Sequence, residues 1–153
     1  MRKKLDGCAA MPSVIPFISN LHILDKSGVD HRFGDVISAP QLDLLNRIDA
    51  NLASGQPSRF IVLKARQVGM STAIEALQYT LAMARQNFRG LVIAHENDSS
   101  KHLLNMSRYF YDTFWAKSAY PTKYAAQNQL AWQFINSHIR IATAKNEKAG
   151  RST

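Results

Sequence analysis

Two short runs, Arg59-Phe-Ile-Val-Leu63 and Gly90-Leu-Val-Ile-Ala-His95, are almost wholly apolar, and each is followed by a long stretch of helical periodicity. An apolar run without alternation is how a strand covered on both faces reads, and such strands belong to parallel sheets flanked by helices. Behind the first run, residues 71–87 carry Ile74, Leu77, Gln78, Leu81, Ala82 and Met83 at helical intervals. Behind the second, from about Ser99 to Trp115, Leu103, Leu104, Met106, Tyr109, Phe110 and Phe114 do the same. The order strand, helix, strand, helix predicts an α/β fold whose mainly parallel sheet is connected right-handedly.

The flanking segments fill in the plan. Ser38-Ala-Pro-Gln41 has the form of a capping box, Leu42, Leu45, Ile48 and Leu52 follow helical spacing, and Gly55 can end the helix so begun. Late in the chain Leu130, Trp132 and Phe134 alternate with polar residues, Asn136-Ser137 makes a turn, and Ile139 and Ile141 alternate again, which predicts a β-hairpin. Residues 1–37 mix Pro12, Pro16, Gly28 and Gly34 with short apolar clusters and read as an extended lead-in with little regular structure and no function of its own.

With 153 residues, 46% of them apolar, the chain can bury a real core and disorder is excluded as its default state. No apolar run approaches the ~18 residues of a membrane helix, and the cations of Met1-Arg-Lys-Lys-Leu5 have no hydrophobic stretch behind them, so neither a membrane span nor a signal peptide is expected. Cys8 is the sole cysteine, so no intrachain disulfide can form, and no Cys/His cluster has zinc spacing. A reducing cytoplasm suits that composition. The net charge of +8 is uneven: residues 1–63 hold 7 Lys+Arg against 6 Asp+Glu, residues 64–153 hold 12 against 5. The basic half leans toward polyanionic partners, and Arg85, Arg89, Lys101, Arg108 and Lys117 could face DNA phosphates, although scattered helix cations are usually solvated.

The most informative segment lies between the first apolar run and the helix behind it: Lys64-Ala65-Arg66-Gln67-Val68-Gly69-Met70-Ser71-Thr72. A loop at such a junction can aim successive backbone N–H groups, together with the positive end of the helix, at a triphosphate, and a hydroxyl at the helix start can hold Mg²⁺. Gly69 and Ser71 occupy those two places. The standard phosphate-loop pattern is broken twice, since Lys64 stands where its first Gly belongs and Met70 where its Lys belongs. The charge has not vanished, because Lys64 and Arg66 at the start of the loop can each reach phosphate oxygens. An ordinary strand-to-helix turn with a serine cap is the competing reading of the same letters.

Taken together, these residues resemble the deviant Walker A loop of the large terminase subunits of tailed phages, the DNA-packaging motors. Other parts match that family in order. Pro40-Gln41 resembles its upstream adenine-contacting element, Gly90-Leu-Val-Ile-Ala-His-Glu96 the strand after the loop-borne helix, and Phe134-Ile-Asn-Ser-His-Ile-Arg-Ile-Ala-Thr-Ala-Lys145 with Gly150-Arg151 the stretch before its Walker B strand. The resemblance covers about residues 38–153 and is strongest over 61–72. It implies a P-loop NTPase-like fold and a partial ATPase domain over 38–153, with ATP and Mg²⁺ as ligands. Gly69, Ser71 and Thr72 would hold phosphates, Ser71 would hold the metal through the nucleotide, and Gln41 would read the adenine. Arg66 and Gln67 match the family's Arg-Gln pair, and Lys64 or Arg66 would be the catalytic cation that neutralises phosphate, a choice the sequence leaves open. Ala65, Val68 and Met70 complete the loop.

The resemblance further implies double-stranded DNA, a terminase small subunit and a portal protein as partners, a ring assembly for the full-length family member, and the cytoplasm of a bacterial host as its place of work. It also implies that the Walker B acids and the nuclease domain follow Thr153, so that this chain should lack turnover and leave an unpaired apolar sheet edge. Two other functions stay open: a helicase-like or RecA-like NTPase, and a nucleotide- or DNA-binding fragment without catalysis.

The remaining candidates have plain readings. Gln41 also closes the capping box with Ser38. Leu91-Val-Ile-Ala-His95-Glu96 is not a Walker B strand, because His95 stands where the metal-linked Asp is needed. Glu96 and Asp98 at a strand's end suit ligand binding but read more simply as solvated acids. Tyr109, Phe110, Tyr111, Phe114 and Trp115 form a core stripe, and His22, His31, His95, His102 and His138 have no paired spacing.

Overall fold

The computed structural model describes residues 13–63, 68–114, 123–126 and 128–144. The helix anticipated over 71–87 is α4, Met70–Ala84, and it forms the centre of the molecule. Ten of its fifteen residues are buried, among them Ala73, Ala76, Leu77, Tyr79, Leu81 and Ala82, so it is covered nearly all round rather than along one stripe. Tyr79 packs edge-on against both Phe110 and Trp132, with ring centroids 5.6 and 5.5 Å away, a favoured aromatic geometry.

Around it lie α3, Ala39–Ala53, and α5, Asn97–Thr113, both within two residues of the bounds that capping and periodicity predict. The late hairpin is present as β5, Gln129–Trp132, and β6, Ser137–Thr143, joined by a 3₁₀ turn over Gln133–Ile135 and by Asn136 in the left-handed region at φ 52°. Phe134 departs from the anticipated alternation, since it lies in that turn and is exposed.

The chain is mixed α/β, but its main sheet is not mainly parallel. With β3, Arg89–Ala94, and β4, Lys123–Ala126, the strand order is β3-β6-β5-β4, of which only β3 and β6 run parallel. The second apolar run is therefore a strand, while the first is not. Arg59–Leu63 has no regular secondary structure, and Ile61 and Leu63 are 95% and 96% exposed. The physical reason is that an apolar run becomes a strand only when it is hydrogen-bonded to a partner edge, and among the described residues no strand pairs with it, although Val62 lines a cavity together with Val92 and Ile93 of β3. Among the described residues one edge of β3 is likewise unpaired, with Leu91 and Ile93 exposed.

The first 37 residues also differ from expectation. Their described part is folded: α1, Ile15–Ser19, is followed by a hairpin of β1, His22–Leu24, and β2, Asp30–Arg32, and by α2, Phe33–Val36. Val14, Ile18, Leu21 and Phe33 are buried in the common core, and Asp49 of α3 ties the segment down by accepting from Ser13 Oγ at 2.7 Å and the Val14 N–H at 2.9 Å. Short apolar clusters separated by Pro and Gly conceal such structure, because each element is too brief to show a period.

Candidate functional site

The junction into α4 is built around Gly69. Its φ of +70° lies in the left-handed region that only glycine visits cheaply, and a Cβ there would fall 2.6 Å from Gln41 Nε2. Gln41 is buried and has two tasks at once. Its Oε1 accepts from the Ser38 N–H at 2.8 Å and the Ser38 hydroxyl at 2.9 Å, which is the anticipated capping box of α3, and its Nε2 donates to the Gly69 carbonyl at 2.7 Å. One amide thus fixes the start of one helix against the start of another. The sequence reading supplied the cap; the bond to Gly69 spans 28 residues, and no local signal announces it.

Beyond Gly69 the first turn of α4 presents Ser71 and Thr72, which the structure directs to different sides. Ser71 is exposed and lines a cavity of about 690 Å³ with Glu75, Val92, Ala94, His95 and Asp98, at the carboxyl end of β3. Thr72 lines a second cavity, of about 490 Å³, with Asp25, His31, Val36, Gln41 and Val68. The start of α4, with its positive end, lies where the two cavities approach, Gly69 lining one and Met70 the other. Met70, at the first helical position, is buried in the core cluster, so the side chain standing where the usual lysine would extend to phosphate is a packing residue instead. Lys64, Ala65, Arg66 and Gln67 lie outside the described residues.

The acids have separated. Glu75 is wholly buried one turn below Ser71, and burial pushes its carboxyl up to about 7, against the smaller opposing effect of the hydrogen bond it accepts at Oε1 from the Ser107 hydroxyl of α5. Among the described residues its Oε2 has no hydrogen-bond partner. Sequence reasoning passed over Glu75, since a lone acid on a helix looks like surface. Asp98 is at the rim, paired with Lys101 at 3.8 Å, whereas Glu96 is outside the cavity lining and pairs with His95 at 3.7 Å. Among the described residues no three His, Cys, Asp or Glu side chains are grouped to hold a metal ion. Among the described residues no helix is long and apolar enough to cross a membrane. No protein-family model matches the chain, and no curated protein matches it.

Proposed function

We propose that the chain binds ATP with Mg²⁺ at the start of α4 and is the N-terminal ATPase portion of a DNA-packaging motor of the terminase type. The observation that carries the nucleotide reading is the geometry at Gly69: a left-handed glycine opens a buried helix whose first turn offers two adjacent hydroxyls, Ser71 and Thr72, to different cavities. A triphosphate can lie along the bare N–H groups of that turn, with the Ser71 hydroxyl toward the metal side and the Thr72 hydroxyl toward the nucleoside side. Mg²⁺ would be held by Ser71 and phosphate oxygens, and when bound it neutralises charge on the phosphates.

Because Met70 is a core residue, the neutralising cation falls to Lys64 or Arg66, and Lys64 is favoured as the compact point charge that phosphate loops use. Gln41 has Oε1 taken twice by Ser38 and one Nε2 hydrogen taken by the Gly69 carbonyl, so the adenine reading rests on its second Nε2 hydrogen. The terminase reading, with double-stranded DNA, small subunit and portal as partners, rests on the resemblance of residues 38–153 and on the basic character of that half.

Titration calorimetry with a non-hydrolysable ATP analogue and Mg²⁺ tests the first step. Binding that is lost in Lys64→Ala and kept in the volume-conserving Met70→Leu supports it; no heat at millimolar ligand from a chain folded by circular dichroism overturns it.

A further inference from the structure

The cavity on the Thr72 side is walled largely by the N-terminal segment, which the phosphate loop does not require. Its apolar walls are Ile23, Phe33, Val36 and Val68, and its polar groups include Asp25 and His31 of the hairpin. At about 490 Å³ it is within the ~300–1,000 Å³ range of small-molecule sites, which also combine apolar walls with a few placed polar groups. The Asp25 carboxylate is set rigidly. Oδ1 accepts from the Ser27 N–H at 2.8 Å, the Ser27 hydroxyl at 2.6 Å and the Val29 N–H at 2.9 Å, and these bonds hold the carboxyl well below the usual range, so it stays ionised.

Its other oxygen is differently placed. Among the described residues Oδ2 meets the ring of His31, Nε2 at 3.1 Å, and a carboxylate has roughly four lone-pair sites in all, so Oδ2 can accept again. A permanent negative charge in a cavity continuous with a phosphate loop repels phosphate. It therefore suits a neutral, donor-bearing part of a nucleotide, and the sugar diol, with two adjacent hydroxyl donors, meets a carboxylate in the way that dinucleotide folds also use.

We infer that this cavity takes the nucleoside half of the bound nucleotide, with Asp25 Oδ2 accepting hydrogen bonds from the ribose hydroxyls, His31 orienting that oxygen, and Ile23, Val36 and Val68 lying against the base. This assignment rests on the phosphate-loop reading above. It turns the N-terminal hairpin from a lead-in into the element that distinguishes a ribonucleotide from a bare polyphosphate.

Titration of the full chain with Mg²⁺ and, in turn, ATP, 2′,3′-dideoxy-ATP and tripolyphosphate tests it. ATP should bind roughly tenfold more tightly than the dideoxy compound, as expected for hydrogen bonds to a charged group. His31→Ala leaves every Oδ1 bond of the Asp25 turn in place and should shrink that ratio, while Val36→Trp, which fills the cavity from its exposed wall, should weaken ATP and leave tripolyphosphate unchanged. Equal affinities for ATP and the dideoxy compound overturn the assignment, as does ATP binding no better than tripolyphosphate, and in both cases the phosphate-loop reading stands. If neither ATP nor tripolyphosphate binds, the phosphate-loop reading falls and this assignment falls with it.

Discussion

Gly69 and Glu75 are two positions where a single atom decides the outcome. Gly69→Ala would place a methyl group 2.6 Å from Gln41 Nε2 and force an L side chain into the left-handed region, which costs about 1–2 kcal/mol before the lost hydrogen bond is counted. Chemical denaturation should show a loss of about 2–3 kcal/mol, and nucleotide affinity should fall with it, since the loop loses its tether to α3. Glu75 gives a pH dependence with a definite sign. Its folded pKa, about 7, is above the ordinary 4.5, so the folded chain binds the proton more tightly than the unfolded one. Stability is therefore undiminished below pH 4.5, falls as the pH rises toward 7, and is flat above. The full difference is of order 3 kcal/mol for this buried group. Glu75→Gln keeps the shape without the ionisation; thermal melts should find it several degrees more stable than the parent at pH 8 and little changed at pH 5. Equal shifts at both pH values would contradict this account.

Among the elements, those that announced themselves in the sequence did so through length and punctuation. The helix α3 was legible from its capping box and from Leu45 and Ile48, α4 and α5 from long apolar periods, and the β5–β6 hairpin from alternation about Asn136. The small N-terminal elements were not, because three to five residues cannot display a period. Nor was the parallel pairing of β3 with β6, whose partner residues stand 49 apart along the chain, since Ile139 and Ile141 read equally well as half of an isolated hairpin. The anticipated strand at Arg59–Leu63 failed for a different reason: composition gives the readiness to be a strand, but the partner edge is supplied by tertiary structure. Of the candidate site, the helix start at Gly69, with Ser71 and Thr72 in its first turn, was legible, while the bond from Gln41 and the buried state of Met70 and Glu75 arise only from packing. The exposed Leu91 and Ile93 on the unpaired edge of β3 have a consequence of their own, because an apolar edge is a template for another strand. Sedimentation velocity should find association that grows with concentration and is reduced in Ile93→Lys.

For the whole molecule, the disposition of acids bears on turnover. ATP hydrolysis needs a metal-organising Asp and a carboxylate that orients water. In the cavity beside Ser71 the described acids are Glu75, buried and held by Ser107, and Asp98, at the rim with Lys101. Neither is placed to make that pair. Asp98→Asn and Glu75→Gln should therefore each leave any phosphate release by the chain unchanged, and a loss of release in either variant would overturn this. The first turn of α4 stands as a partition, with the hairpin compartment on one side and the open end of the sheet on the other. Since each residue of an α-helix advances about 100° around the axis, the two hydroxyls face opposite compartments through phase alone. One residue inserted between Gly69 and Ser71 would rotate both, turning Ser71 toward the hairpin and away from the sheet, with composition almost untouched. Intolerance of insertion at this point, whatever residue is inserted, is the behaviour that such a partition imposes on any sequence built around it.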